Sequence, residues 1–190
     1  MNVPLSWGKC TLFLLKSGDT KWKRLVTPVE DSTNLTPTQG DKLEAKIEGG
    51  TNEAVKYKSN TYQLAYNIRK AQGRKQPVAN KDGVVSAEYS VLMQPEDPTT
   101  DGFYIERTSV NVQDTYTTAD GAIWQITHDA LEPTKGNTVK WGTVTTSVTG
   151  SGDSAVNKVS FTENVDMLAE GQSVSDKTVI SATEFTEQND

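Results

Sequence analysis

Residues 42–69 decide the fold of this chain, and they read KLEAKIEGGTNEAVKYKSNTYQLAYNIR. From residue 42 to 48, apolar residues alternate with Lys and Glu; the alternation breaks at Gly49 and Gly50 and resumes over residues 54–58. A period of two is the spacing of a β-strand with one buried face, and glycine pairs between such runs favour tight turns. The stretch therefore predicts a β-hairpin followed by a further strand over residues 62–69.

The same alternation recurs along the first 150 residues and is clearest over residues 123–130. Less regular strands are predicted at residues 9–15, 88–94, 103–107, 109–114 and 138–144. Eight or nine short strands separated by Gly, Pro, Asn and Asp predict an all-β fold, a small sandwich or partly open barrel. One short helix is predicted at residues 77–81, with Pro77 in its first turn and Asp82-Gly83 after its end.

Composition supports strands and leaves little catalytic chemistry. The 190 residues include 25 Thr and 18 Val against 11 Leu, a β-branched bias that suits pleated surfaces. A single histidine, His128, and a single cysteine, Cys10, leave no way to assemble a zinc site of several His or Cys ligands, a disulfide framework, or a Cys-His pair from neighbouring motifs. We therefore expect no bound metal, no cofactor and no enzymatic activity. The first six residues carry no basic side chain, so we also expect a protein that stays in a cytoplasm.

Charge divides the chain into two parts. All of the formal net charge of −6 lies in residues 151–190, which hold Lys158 and Lys177 against eight acidic residues. The change coincides with a stretch rich in Ser, Thr and Gly, which is typical of a flexible connector. We therefore predict a β domain over residues 1–146, a linker over 147–154 and an acidic C-terminal extension over 155–190. Deletion from Ser151 onward is predicted to leave a folded domain.

Few side chains qualify as candidate sites. His128 shares a strand face with Trp124 and Ile126, which favours a packing role over a catalytic one. Three acids near turns, Glu96, Asp97 and Asp101, lack the ligand spacing of a calcium loop. Gly49 and Gly50 are followed by no helix pattern and no Lys-Ser or Lys-Thr, so they form a turn and not a phosphate-binding loop.

A basic cluster is the strongest charged feature. Arg69, Lys70, Arg74, Lys75 and Lys81 occur without an intervening acid in a segment that also holds Gly and Pro. Two interpretations carry equal weight: contact with an acidic partner or nucleic acid, and a loop that is simply solvated. No aromatic residue lies between Tyr66 and Tyr89, which disfavours base stacking.

Sheet edges raise the question of assembly. A sheet that ends in a regular ribbon such as residues 62–69 leaves backbone N–H and C=O groups unpaired unless the edge is blocked or used. Edges of this kind bind further strands by β-augmentation.

Four phrases of the sequence carry a family resemblance. They are VPLSWGK at residues 3–9, GDKLEAKIEGG at 40–50, PEDPTTDG at 95–102 and DGAIWQITHDALEPTKGNTVKWG at 120–142. Together they resemble the tail tube, or major tail, proteins of tailed bacteriophages and prophages of Bacteroides-like hosts. The resemblance covers residues 3–144 and consists of strand and turn elements.

The resemblance implies a non-enzymatic structural subunit. Such subunits pair their strands into rings, commonly hexameric, which remove the sheet edges and stack into a conduit for DNA ejection. The implied partners are copies of the same chain, other tail proteins such as tape measure, terminator and sheath, and DNA as passing cargo. The implied location is the virion tail, assembled in the bacterial cytoplasm without a membrane.

Residue roles also follow from the resemblance. The tube-wall strands would include Lys42, Glu44, Lys46 and Glu48, with their charges facing water. Contacts between subunits or rings would come from Leu5 and Trp7 in the N-terminal arm, residues 2–7, and from the basic residues Arg69, Lys70, Arg74, Lys75 and Lys81.

Two other functions remain open at the level of sequence. One is a carbohydrate- or protein-binding sandwich on a cell surface, with Trp22, Trp124 or Trp141 as an aromatic platform. The other is a hydrolase that uses acidic residues alone, for which no pair of acids stands out.

Overall fold

The computed structural model describes residues 4–152 and 155–188, and this part of the chain holds twelve β-strands. The strands are β1 Thr11–Lys16, β2 Trp22–Arg24, β3 Asn34–Thr38, β4 Lys42–Lys46, β5 Asn52–Tyr57, β6 Thr61–Arg69, β7 Tyr89–Gln94, β8 Gly102–Thr117, β9 Gly121–Ala130, β10 Val139–Thr149, β11 Val156–Glu163 and β12 Val179–Glu187. Two single 3-10 turns, Val165–Met167 and Val174–Asp176, lie between β11 and β12. The all-β prediction is confirmed.

Strand β8 closes part of the main sheet on itself. Its first residues pair with β7 on one side and with β10 on the other, so Phe103 lies opposite both Met93 and Trp141. The strand order β10-β11-β12-β2-β1-β7-β8 therefore returns to β10. Gly102 faces Gly142 at the junction, and a Cβ on Gly102 would overlap the carbonyl oxygen of Met93. This partly ring-like arrangement, which we call the ring, is consistent with the small sandwich or partly open barrel that the sequence predicts.

The second half of β8 leaves the ring and begins an open sheet. From Thr108 to Thr117 it pairs with β9, which pairs with β6, which pairs with β3. The open sheet packs on the outer wall of the ring, so one long strand joins two layers.

Two hydrophobic clusters follow from the alternation within each strand. Phe13 belongs to the cluster inside the ring, whereas its neighbours Leu12 and Leu14 belong to the cluster between the ring and the open sheet. Leu92 and Val91 in β7 divide in the same way. Successive side chains of a strand point to opposite faces, so one strand serves two cores.

The C-terminal segment completes the ring, which corrects the predicted division of the chain. Strand β10 runs through the predicted boundary at residue 146 to Thr149, β11 pairs with β10, and β12 pairs in parallel with β2. Phe161 and Phe185 are buried in the inner cluster, where the Phe185 ring lies 5.1 Å from that of Phe13. Residues 153 and 154 of the predicted linker lie outside the described residues. Because the segment supplies two strands and part of the core, the deletion at Ser151 is now expected to unfold the ring.

Three local predictions are also corrected. The strands predicted at residues 103–107 and 109–114 are one strand, β8, while β2, β3, β11 and β12 were not predicted. Residues 77–81 form no helix, because Val78 is anchored in the core and the Asn80 side chain accepts a hydrogen bond from Gly83 N at 3.0 Å. The positive φ of Asp82 and Gly83, 51° and 85°, then turns the chain back.

Candidate functional site: an exposed β-arm

One long ribbon leaves the open sheet and extends into solvent. Strands β3 and β6 pair at its base, and β4 and β5 continue the pairing beyond them. Between the two parts, Lys58 N donates to Asp41 O at 2.9 Å and Gly40 N donates to the Asn60 side chain at 3.2 Å. We call residues 41–60 the arm, and every one of them is exposed.

The arm carries four large apolar side chains that are about half exposed to solvent. The exposed fractions are 50% for Leu43, 51% for Ile47, 44% for Val55 and 53% for Tyr57. An isolated two-stranded hairpin is at best marginally stable in water, because it has no second layer to bury its apolar face. Within residues 4–152 and 155–188, no second layer packs against the arm, so these apolar side chains stay about half exposed.

Charges on the arm are balanced locally. Glu44 lies between Lys42 and Lys46, forming an ion pair with each, and the Lys46 Nζ–Glu44 Oε2 distance is 3.4 Å. These three predicted tube-wall residues thus share one face, whereas Glu48 lies in the turn at the tip. All four face water, and whether that water fills a lumen stays a prediction.

Strand edges are open along this ribbon. Among the described residues, β4 and β5 pair only with each other, and β3 pairs only with β6. The outer edges of all three strands therefore present backbone groups without a strand partner, except that Pro37 removes one N–H from β3.

The predicted basic cluster is divided by the structure. Lys70 Nζ lies 2.8 Å from Asp114 Oδ1 and 5.4 Å from the centre of the Trp124 ring. Arg69 donates to the backbone carbonyl oxygen of Asp120, and Arg74 Nη1 donates to Arg69 O at 2.9 Å. These three cations therefore hold their own loop against the open sheet.

The other two basic residues are exposed. Lys75 and Lys81 form no ion pair within residues 4–152 and 155–188. Of the five predicted basic contact residues, they are the two whose charges are not already engaged.

The N-terminal arm lies at a separate place on the surface. Ser6 donates to Asp101 O at 3.1 Å and Lys9 N donates to Glu96 Oε2 at 3.3 Å, which fixes this segment. Trp7 is nevertheless 76% exposed and Leu5 56% exposed. Both side chains are thus exposed, and their role in contacts stays a prediction. Residues 2 and 3 of the predicted arm lie outside the described residues.

His128 is a buried packing residue. Thr108 donates its hydroxyl hydrogen to Tyr89 O at 2.8 Å, so its oxygen accepts from His128 Nδ1 at 2.9 Å. Nε2 then accepts from the Tyr66 hydroxyl at 2.9 Å. The ring is neutral with both nitrogens satisfied, and burial lowers the pKa of His128 to about 3.

Acidic turn residues are engaged with their own turn. Asp97 Oδ1 accepts from Thr99 N at 2.9 Å and from its hydroxyl at 2.6 Å, and these hydrogen bonds, first the side-chain one, lower the pKa of Asp97. No group of three or more His, Cys, Asp or Glu in the described part of the chain is placed to hold a metal ion.

The tryptophans of the alternative function are not on the surface. Trp22 and Trp124 are buried, and Trp141 is half-buried with its ring against Phe103. They form no exposed aromatic platform.

Sequence reasoning missed Val55 and Tyr57 as surface residues. Both lie in strand positions that alternate normally, so no signal in the sequence distinguishes them from buried residues. They differ from buried residues only because, among the described residues, no second layer packs against this strand pair.

Comparisons with known proteins give no match of any kind. No protein-family model matches the chain, and neither does a curated protein or a solved structure. Within the described residues, no helix has both the length and the hydrophobicity to span a bilayer.

Proposed function

We propose that this chain is a structural subunit that assembles with copies of itself into stacked rings, as the tube of a phage tail. The observation that carries the proposal is the arm, because residues 41–60 are all exposed, have open strand edges and present four large apolar side chains. Apolar surface of this kind marks an interaction site.

Copies of the same chain are the partner that the fold suits best. A closed assembly removes the open edges of β3, β4 and β5 by pairing or covering them in every subunit. One of the four phrases that carry the family resemblance, at residues 40–50, lies in the arm except for Gly40. Tape-measure, terminator and sheath proteins, DNA as passing cargo and a location in the virion tail belong to the same proposal.

The proposed subunit has no catalytic step. The buried histidine is satisfied on both nitrogens, and the Asp97 carboxylate accepts hydrogen bonds within its own turn. These contacts support a structural role.

Assembly is tested by negative-stain microscopy and sedimentation velocity over a range of protein concentrations. The expected result is rings or tubes for the natural sequence and their loss in the variant Leu43→Ser/Tyr57→Ser. The matched control is Val148→Ser, which removes an apolar side chain that is 65% exposed from the β10–β11 hairpin. A natural sequence that stays monomeric at every concentration and salt condition contradicts the proposal.

A further inference from the structure

The connection between β11 and β12 is a closed and internally bonded loop. Glu163 N donates to Thr178 O at 2.9 Å, and Thr178 N donates to Glu163 Oε2 at 2.7 Å, so the two ends of the loop meet. We call residues 164–178 the C-terminal loop. Loops of this length whose ends meet are compact and frequently functional.

Hydrogen bonds hold the C-terminal loop in one conformation. The Gln172 side chain accepts from Ala169 N at 3.2 Å and donates to Asp176 O at 3.1 Å. Asn164 donates to Asp101 Oδ2 at 2.7 Å, and Asn137 donates to Met167 O at 3.2 Å. The loop is therefore formed before any partner arrives, and its order does not depend on its apolar side chains.

Those apolar side chains are exposed. Val165, Met167 and Val174 are 44%, 49% and 59% exposed, and Val179, which follows the loop, is 56% exposed. Neither 3-10 turn contains a buried residue. A loop that presents three apolar side chains to water, with a fourth directly after it, is suited to receive a partner.

The C-terminal loop carries a net negative charge, whereas the arm has four acids and four lysines and is neutral overall. The loop has three acids, Asp166, Glu170 and Asp176, and one lysine. Among the described residues Asp166 and Glu170 form no ion pair, while Asp176 lies 4.0 Å from Lys135. Two carboxylates are thus available to a cation from outside.

The arm presents such a cation beside its apolar face. Lys56 lies directly opposite Leu43, so both side chains are on one face of the hairpin. Within the described part of the chain, Lys56 has no ion-pair partner, in contrast to Lys42, Lys46 and Lys58. This face therefore combines apolar side chains with one uncompensated positive charge.

We propose that the arm of one copy docks on the C-terminal loop of a neighbouring copy, with Lys56 near Asp166 and Glu170. Leu43 and the exposed valines of the loop then bury each other. The inference rests on the proposed function, since it names the surface that receives the arm in the assembly.

Charge reversal tests the docking in the full chain. Lys56→Glu places an acid against acids, so we expect the protein concentration for half-maximal assembly to rise at least about tenfold. Asp166→Lys/Glu170→Lys is expected to weaken assembly similarly. The triple variant with all three changes is expected to return within about threefold of the natural sequence. The control Lys16→Glu, an exposed lysine at the end of β1, is expected to leave assembly unchanged.

A second measurement reports the contact directly. Carbodiimide links amines to carboxylates in contact, and a mixture of 14N- and 15N-labelled chains distinguishes links between copies from links within one. The expected result is an intermolecular link from Lys56 to Asp166 or Glu170.

Each outcome decides between the two proposals. If none of the charge reversals changes assembly and no intermolecular cross-link from Lys56 is found, the docking is wrong but the proposed function is not contradicted. If Lys56→Glu weakens assembly and the triple variant does not restore it, the C-terminal loop is not the surface that receives the arm. A natural sequence that never assembles overturns the proposed function and this inference with it.

Discussion

The arm and strand β6 are neighbours in sequence with the same alternation and opposite burial. Leu64, Tyr66 and Ile68 in β6 are fully buried, whereas Leu43 in β4 and Ile47, which follows β4, are half exposed. Strand β6 packs on the outer wall of the ring, and the arm extends past it. The difference shows that a period-two pattern indicates a strand, whereas the burial of its apolar residues depends on whether a second layer packs against it.

The largest expected effect contrasts the two regions by truncation. Phe161→Ala removes a fully buried ring from the inner cluster and is expected to lower the free energy of unfolding by about 3–5 kcal/mol. Leu43→Ala in the arm is expected to change it by less than about 0.5 kcal/mol in the monomer. Urea denaturation measures both, and comparable losses would contradict the contrast.

Ion pairs give the next contrast. Lys140 is buried and its Nζ lies 2.9 Å from Glu106 Oε2. Burial opposes ionisation of Glu106, but hydrogen bonds from Thr134 and Lys140 outweigh it and lower the pKa of this carboxyl. Glu106→Gln leaves the buried Lys140 without its ion-pair partner. We expect this variant to lower the free energy of unfolding by about 3 kcal/mol.

The arm supplies the matched control for that variant. Glu44→Gln removes the exposed ion pairs with Lys42 and Lys46. We expect it to lower the free energy of unfolding by less than about 0.5 kcal/mol. A loss from Glu44→Gln as large as that from Glu106→Gln would show that the arm is stabilised within one chain.

Acid sensitivity is the third and smallest contrast, and it belongs to the buried region alone. The pKa of His128 is about 3 in the fold and about 6.5 in an unfolded chain, so between these values the unfolded chain binds the extra proton. Stability is therefore complete above pH 6.5 and falls as pH falls, by about 2 kcal/mol between pH 6.5 and 5. Urea midpoints measured across this range report the slope, and His128→Gln is expected to remove it. An unchanged slope in that variant contradicts the assignment.

Much of the fold was predictable from local pattern, and the rest depended on long-range pairing. The hairpin at residues 42–58 and strands β6 and β9 follow from alternation alone. Strands β11 and β12 were missed because they bury few apolar residues, such as Phe161 and Phe185, among many polar ones. Their net negative charge suggested an appendage, although outward-facing acids are compatible with a strand of the ring.

The hairpin that forms the arm was predicted, but its full exposure was not. Lys42, Glu44 and Lys46 lie together on the arm, as expected for one strand face. No sequence pattern indicated that residues 41–60 are all exposed, because burial depends on which layers of the fold pack against each other. Nor did any pattern indicate the C-terminal loop, whose order comes from scattered Asn and Gln side chains.

Hydrogen exchange of the arm amides tests the central claim most directly, namely that another copy of the chain covers the arm. Amides of residues 41–60 and of β6 are compared in dilute protein and in protein concentrated enough to assemble. The account predicts that β6 is protected in both and that the arm becomes protected only on assembly, by at least about tenfold in exchange rate. An arm that is already protected in the monomer, or that stays unprotected in the assembled protein, contradicts it.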